Sequence, residues 1–159
     1  MPNRGAKDAE EAKALADIEE YGCHILYVLE EDEHPPFAYS VGIEHNFGVP
    51  ELVVIGLKPE LSLIIINEYC RRVRGGESFR VGERASGFLG GGFDCQFGAV
   101  HPDHYPEYFG WDIWFYDGPD FRILQLIFPT TSGVWPWDAE ADDWLRKRQR
   151  LLDQPPLPP

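Results

Sequence analysis

The chain is poor in cysteine and positive charge, and each shortage excludes something. Its three cysteines, Cys23, Cys70 and Cys95, are an odd number, far apart and without a C-x-x-C pair. Neither a disulfide framework nor a Cys₄ zinc site is therefore expected. Each sits among apolar neighbours, where a free thiol packs as a small hydrophobe. Lysine and arginine number 14 against 27 acidic residues, for a formal net charge of −13. Gripping phosphate backbones or an anionic bilayer takes a cationic face, so neither nucleic acid nor a membrane is expected as a partner. No run approaches the roughly 18 apolar residues of a spanning helix, and Met1 to Lys7 lacks the apolar centre of a secretory signal. Together these absences predict a cytoplasmic protein.

What is present is globular in balance. The 159 residues are 43% apolar and 14% aromatic, which suits one α+β domain over residues 1–153, followed by a disordered proline-rich tail over 154–159. Residues 1–60 hold 13 acidic side chains against 4 basic ones. That asymmetry reads as a solvated face or as a field steering a basic protein partner.

Periodicity predicts a helix over 8–21, capped by Asp8 with Glu11 three residues on and ended by Gly22. Strands follow at Cys23–Leu29, Phe37–Ile43 and Glu51–Leu57, separated by an acidic turn and by a loop over Glu44–Pro50. In the second strand Ala38, Ser40 and Gly42 form a face of small residues, against which a helix or a ligand is expected to press. Pro59 opens a deeply buried helix through Val73, with Leu61, Leu63, Ile64, Ile65, Ile66, Tyr69 and Cys70, stopped by Gly75-Gly76. A short strand at Ser78–Val81, a glycine-rich bend at Gly87–Gly92 and alternation over Phe93–Ala99 come next. His101–Tyr116 reads as partly helical, Phe121–Phe128 as a strand, and Asp138–Leu152 as a final helix. Short links between the first three strands forbid parallel crossovers. The expectation is a mostly antiparallel sheet, or a partial split-barrel-like one, around one buried central helix, with helices at both termini.

The block Phe37-Ala38-Tyr39-Ser40-Val41-Gly42-Ile43, the loop with His45 and Gly48, and Pro50-Glu51-Leu52-Val53-Val54-Ile55-Gly56-Leu57 carry a family resemblance. With Leu124-Gln125-Leu126-Ile127-Phe128-Pro129, Gly133 and Pro136-Trp137, they resemble the DUF4262 family of uncharacterised bacterial proteins, a name that implies no activity. Thr130-Thr131-Ser132 departs from the pattern, since an aspartate usually follows that proline. The order of elements is also similar to the split barrel of flavin reductases, a likeness of topology only.

Few residues form a chemical constellation. His45 and Glu51 flank the loop between the best strands and are candidates for acid/base work, with Asn46 beside them. His101 and His104, three apart around Asp103, have the spacing of two metal ligands but lack a third. Ser40, Gly42, Gln125, Arg80 and Arg84 would line a pocket for a flavin such as FMN, the arginines clamping its phosphate. Gly87–Gly92 lacks the spacing of a phosphate loop. The aromatics over Tyr105–Tyr116, with Trp135 and Trp137, are either core or an exposed anchor patch. No nucleophile, base and orienter come together. The leading expectation is a small acidic binding protein without catalysis of its own, of an immunity-like or regulatory kind, meeting a basic protein surface or a small-molecule ligand. A cofactor-binding domain, as in a homodimeric flavin reductase, is the alternative, and a histidine-based hydrolase or metal enzyme the third.

Overall fold

A computed structural model describes residues 5–32 and 34–156. Helix α1 (Ala9–Tyr21) starts where Asp8 accepts the backbone N–H of Glu11 at 2.9 Å. Glu11 in turn accepts from the N–H of Lys7 at 2.8 Å. Gly22 ends the helix in the left-handed region, its N–H returning to the carbonyl of Ile18. Strands β1 (His24–Val28), β2 (Phe37–Val41) and β3 (Glu51–Ile55) then run antiparallel in sequence. Helix α3 (Pro59–Arg74) follows, after a short α2 (Ile43–Phe47) between β2 and β3. Strands β4 (Arg84–Ala85) and β5 (Cys95–Ala99) precede a 3₁₀ turn at Pro102–His104, α4 (Tyr105–Tyr108) and α5 (Gly110–Tyr116). Strand β6 (Ile123–Ile127) and helix α6 (Asp143–Arg148) complete the order.

The strands form one six-stranded sheet in the order β1-β2-β3-β6-β5-β4. Only β3 and β6 are parallel, and they sit at the centre. Both are buried along their whole length, as strands covered on two faces must be. The sheet stays open rather than curling into a barrel.

Alternation sends side chains to two cores. Ala38, Leu52, Val54, Leu124 and Leu126 meet Ile65, Ile66, Tyr69 and Val73 of α3 on one face. Tyr39, Val41, Val53, Ile55 and Ile123 meet Ile18 of α1, the aromatics of α4 and α5, and Leu152 on the other. Each valine, leucine and isoleucine among them contributes about 1.5–3 kcal/mol by leaving water. Ala38 and Ser40 are fully buried, so the small-residue face does receive a partner, and that partner is α3.

Several boundaries differ from the sequence-based expectations, each for a local reason. The strand expected through Ile43 stops at Val41, because Gly42 turns left-handed (φ 103°) and opens α2 where a loop was expected. No other residue type fits there: a Cβ on Gly42 would lie 2.7 Å from the Ile18 side chain. Helix α3 is amphipathic rather than buried all round, with Leu61, Leu63 and Ile64 exposed. Residues 78–81 are not a strand; Phe79 turns into the core and the ladder begins only at Arg84. The last helix is shorter than expected. Asp138 closes a turn by accepting from Trp135, and Asp142 is the residue that caps, accepting from Leu145 at 2.8 Å. Beyond α6, two buried glutamines hold the chain to β6. Gln149 exchanges two 2.8 Å hydrogen bonds with the backbone of Phe128, and Gln125 bonds the carbonyl of Arg150 and the N–H of Leu152. Of the expected tail, residues 157–159 lie outside the described residues. Among the described residues no helix is long and apolar enough to cross a membrane.

Candidate functional site

Two places stand out, one at each end of β3. The first is built around Glu51, the opening residue of that strand, whose carboxylate is wholly buried. Five groups donate to it. The backbone N–H groups of Gly42, Ile43 and Glu44, all at 3.1 Å, are the free donors at the start of α2. Ser40 donates its hydroxyl at 2.8 Å, and Tyr116 donates through a short hydrogen bond.

The direction of the two hydroxyl protons follows from their other partners. Ser40 Oγ accepts the N–H of Leu52 at 3.0 Å, and the Tyr116 oxygen accepts the N–H of His45 at 3.1 Å. Both protons therefore point at Glu51. Five donated bonds suit an ionised carboxylate, which has acceptor sites only. Burial opposes this, lifting the Glu51 pKa to about 7 against the pull of Tyr116, Ser40 and the α2 amides. Nearby, Arg122 donates to Glu44 at 2.8 and 3.2 Å and to the carbonyl of Gly48, tying α2 to the start of β6.

Asp112, on α5, is the counterpart. It is fully buried and neither carboxyl oxygen has a hydrogen-bond partner. Burial first, then the charges of Glu51 and Glu44, push its pKa well up. Asp112 is accordingly a neutral acid, so of the two fully buried carboxyl groups only Glu51 carries charge. Burial likewise keeps Tyr116 protonated. The cluster is a structural knot: its polar atoms face each other and Glu51 and Asp112 are shut off from solvent.

The residues singled out in the sequence are dispersed. Glu51 and Ser40 are together, and Gly42 joins them through its N–H, but His45 meets this cluster only through its backbone; its exposed ring stands edge-on to Phe115. Asn46 caps α1, donating to the carbonyls of Ile18 and Gly22 at 2.9 Å. Gln125 serves the C-terminal segment, as described. Arg84 bonds Gln96 at 3.0 Å and covers the Trp135 ring at the far edge of the sheet, with three strands between β4 and β2. Arg80 is exposed in the turn that precedes β4. The five residues expected around a flavin are thus not drawn into one cavity. His101 accepts the N–H of Asp103, and buried His104 bonds the carbonyl of Gln154 at 2.6 Å. Among the described residues no three His, Cys, Asp or Glu side chains are placed to hold a metal ion.

Tyr116 and Asp112 were legible only as members of an aromatic stretch. That stretch is mostly core: Tyr105, Tyr108, Phe109 and Phe115 are buried against the sheet. The signal for Asp112 was its position, an acid between Trp111 and Ile113 in a helix otherwise almost wholly apolar.

The second place is an open apolar groove of ≈ 360 Å³ just past the other end of β3. Leu57, Leu61, Ile64 and Ile65 line it from the β3–α3 side, Phe88, Leu89 and Phe93 from the glycine-rich bend, and Phe128 and Pro129 from the end of β6. Its one side-chain hydroxyl belongs to Thr131. Leu61 and Ile64 remain 50% and 60% exposed. Phe88 is fixed by Arg72, whose guanidinium lies 4.1 Å above the ring while bonding Glu68 and the carbonyl of Ser86. Gly87, Gly91 and Gly92, all at positive φ, let the bend turn sharply enough to present Phe88, Leu89 and Phe93 together.

A family model described as "Domain of unknown function (DUF4262)" matches residues 17–142, a span that includes both places. No curated protein and no solved structure matches the chain.

Proposed function

From the premise that this chain belongs to the DUF4262 family, we propose that it is a non-catalytic binding protein, which seats an apolar segment of a cationic protein partner in the groove beside α3. The observation that carries this reading is the exposure of Leu61 and Ile64 beside a concave, almost wholly apolar surface. Large apolar side chains left in water next to a groove mark interaction sites. The volume suits one or two apolar side chains. A net charge of −13 gives a cationic partner a long-range attraction that an anionic one lacks. By contrast, Ser40, Glu51, Tyr116 and Gln125 are engaged with one another or with the backbone, which leaves no free pair for acid/base or nucleophilic work.

The test is a fluorescence-anisotropy titration with a labelled amphipathic peptide of lysine and leucine, and with its glutamate–leucine counterpart. The lysine peptide binds, more weakly as salt rises, and Ile64→Asn, which changes no charge, weakens it about tenfold, equal to roughly 1.4 kcal/mol. Equal binding of the two peptides, or indifference to Ile64→Asn, overturns the reading. A concentration-dependent dimer that Ile64→Asn abolishes would replace the partner with a second copy.

A further inference from the structure

The pair Trp135 and Trp137 is neither core nor a loose patch. It stands at a third concavity, of ≈ 210 Å³, on the face of the sheet away from α3. Gln96, Gly98, Gln125 and Ile127 turn to that face by alternation with Phe97, Leu124 and Leu126. One wall is Trp137, 43% exposed, whose indole is fixed by its neighbours. Trp135 stacks on it with ring centroids 5.1 Å apart and planes 10° from parallel, and the Arg84 guanidinium lies 4.6 Å from the Trp135 ring. The turn that carries both rings is closed twice. Trp135 donates its N–H to the Asp138 carboxylate at 2.9 Å, and its carbonyl accepts the N–H of Asp138 at 3.0 Å. Polar groups of both kinds face the same space. Phe97 turns its N–H and C=O to Glu83 and Gly82, so Ala99, two residues on, turns its own to that edge. The chain at 80–83 curls into a turn there, Glu83 bonding the carbonyl of Arg80, and among the described residues no backbone bond reaches Ala99 across that edge. Gln96 has its carbonyl occupied by Arg84 at 3.0 Å, which leaves its NH₂ as a donor. Asp153 adds an exposed carboxylate.

We propose that this cavity binds one neutral pyranose ring of a saccharide. Such a ring has an apolar face of C–H groups and a rim of hydroxyls, each of which both donates and accepts. Trp137 supplies a flat apolar wall for the face; Ala99, Gln96 and Asp153 supply donors and acceptors for the rim. Two other ligand classes fit this arrangement less well. An organic cation meets a positive charge already in place, because Arg84 sits on the same aromatic stack. A flat aromatic ligand leaves the Ala99 and Asp153 groups without partners. The sheet itself separates this cavity from the groove beside α3, so the saccharide site stands or falls independently of what the groove binds.

The test is saturation-transfer NMR of the full-length protein with the methyl glycosides of β-glucose, β-galactose, α-mannose and N-acetyl-β-glucosamine. At least one binds with millimolar affinity and receives saturation mainly at the C–H protons of one ring face. Its affinity is the same at low and high salt, because the ligand carries no charge. Trp137→Ala abolishes the transfer. Asp153→Ala, at an exposed position, weakens binding about fivefold, the worth of one hydrogen bond. Ile64→Asn, in the groove, leaves binding unchanged. The proposal fails if none of the glycosides receives saturation, or if the transfer survives Trp137→Ala or is indifferent to Asp153→Ala. It fails equally if tetramethylammonium, added as a cation probe, shifts the Trp137 indole resonance while the glycosides do not.

Discussion

The two ends of β3 solve opposite problems. At its start, Glu51 is a charge taken out of water and compensated by five donors; just past its end, Leu57, Leu61 and Ile64 are apolar groups left in contact with water. Roughly 20 Å of strand separates them. The closed end shows that a buried carboxylate is not by itself a reactive one. Its lone pairs are engaged and its neighbour Asp112 is neutral, so it fixes where β2 stops and α2 begins. The open end shows where the fold leaves interaction energy unused.

The sharpest way to break this comparison is to remove the centre of the closed end. Glu51→Ala leaves five donors facing an empty space and is expected to cost about 3–5 kcal/mol, the range for breaking one side of a buried charged arrangement. Urea unfolding measures it; a cost below about 1 kcal/mol would show that the carboxylate organises nothing.

The next largest effect is with pH. Glu51 rises from 4.5 to about 7 on folding, and Asp112 moves well up from 3.8. A folded pKa above the unfolded one means that the folded state holds the proton more tightly. The associated stability is full below pH 4.5 and is lost as pH rises through about 7, by roughly 3 kcal/mol from Glu51. The Arg71 and Arg72 partners of Glu68 lower its pKa to about 2, so it acts below that window. Urea midpoints between pH 5 and 8 therefore fall with pH, and Asp112→Asn flattens the slope. A flat wild-type profile would mean that neither acid resists ionising.

Tyr116→Phe removes a single donor. It is expected to cost about 2 kcal/mol above pH 7 and less at pH 5, where Glu51 is already protonated. Equal losses at both pH values would separate the tyrosine from the charge it is held to serve. At the open end Ile64→Asn is expected to change stability by no more than about 0.5 kcal/mol, because the side chain is already in water. A larger loss would make the groove part of the core.

Much of this was legible in sequence, and the failures have a common cause. Helix α1 with its Asp8 cap and Gly22 stop, the β1–β2–β3 meander, α3 after Pro59 and β6 follow local rules of capping and alternation, and they stand within a residue or two of expectation. What escaped depends on contacts distant in the chain. The parallel β3–β6 pair joins residues about 70 positions apart. The short α6 reflects Gln125 and Gln149 drawing residues 149–152 onto β6, which no helical period encodes. In sequence Glu51 stood beside His45, with Ser40 and Gly42 in a separate group; that Glu51 meets Ser40 and Gly42 instead, and is closed by Tyr116 65 residues away, depends on how the chain folds back. The five apolar residues Leu61 to Ile66 exceeded what one helix face can bury, and the excess is the groove.

The most direct measurement is methyl NMR of selectively labelled isoleucine and leucine during titration with the lysine–leucine peptide. The account predicts shifts at Leu61, Ile64 and Ile65 and none at Ile18 or Ile123 on the opposite face. Movement centred on Ile18 and Ile123, with the groove methyls unmoved, would contradict it.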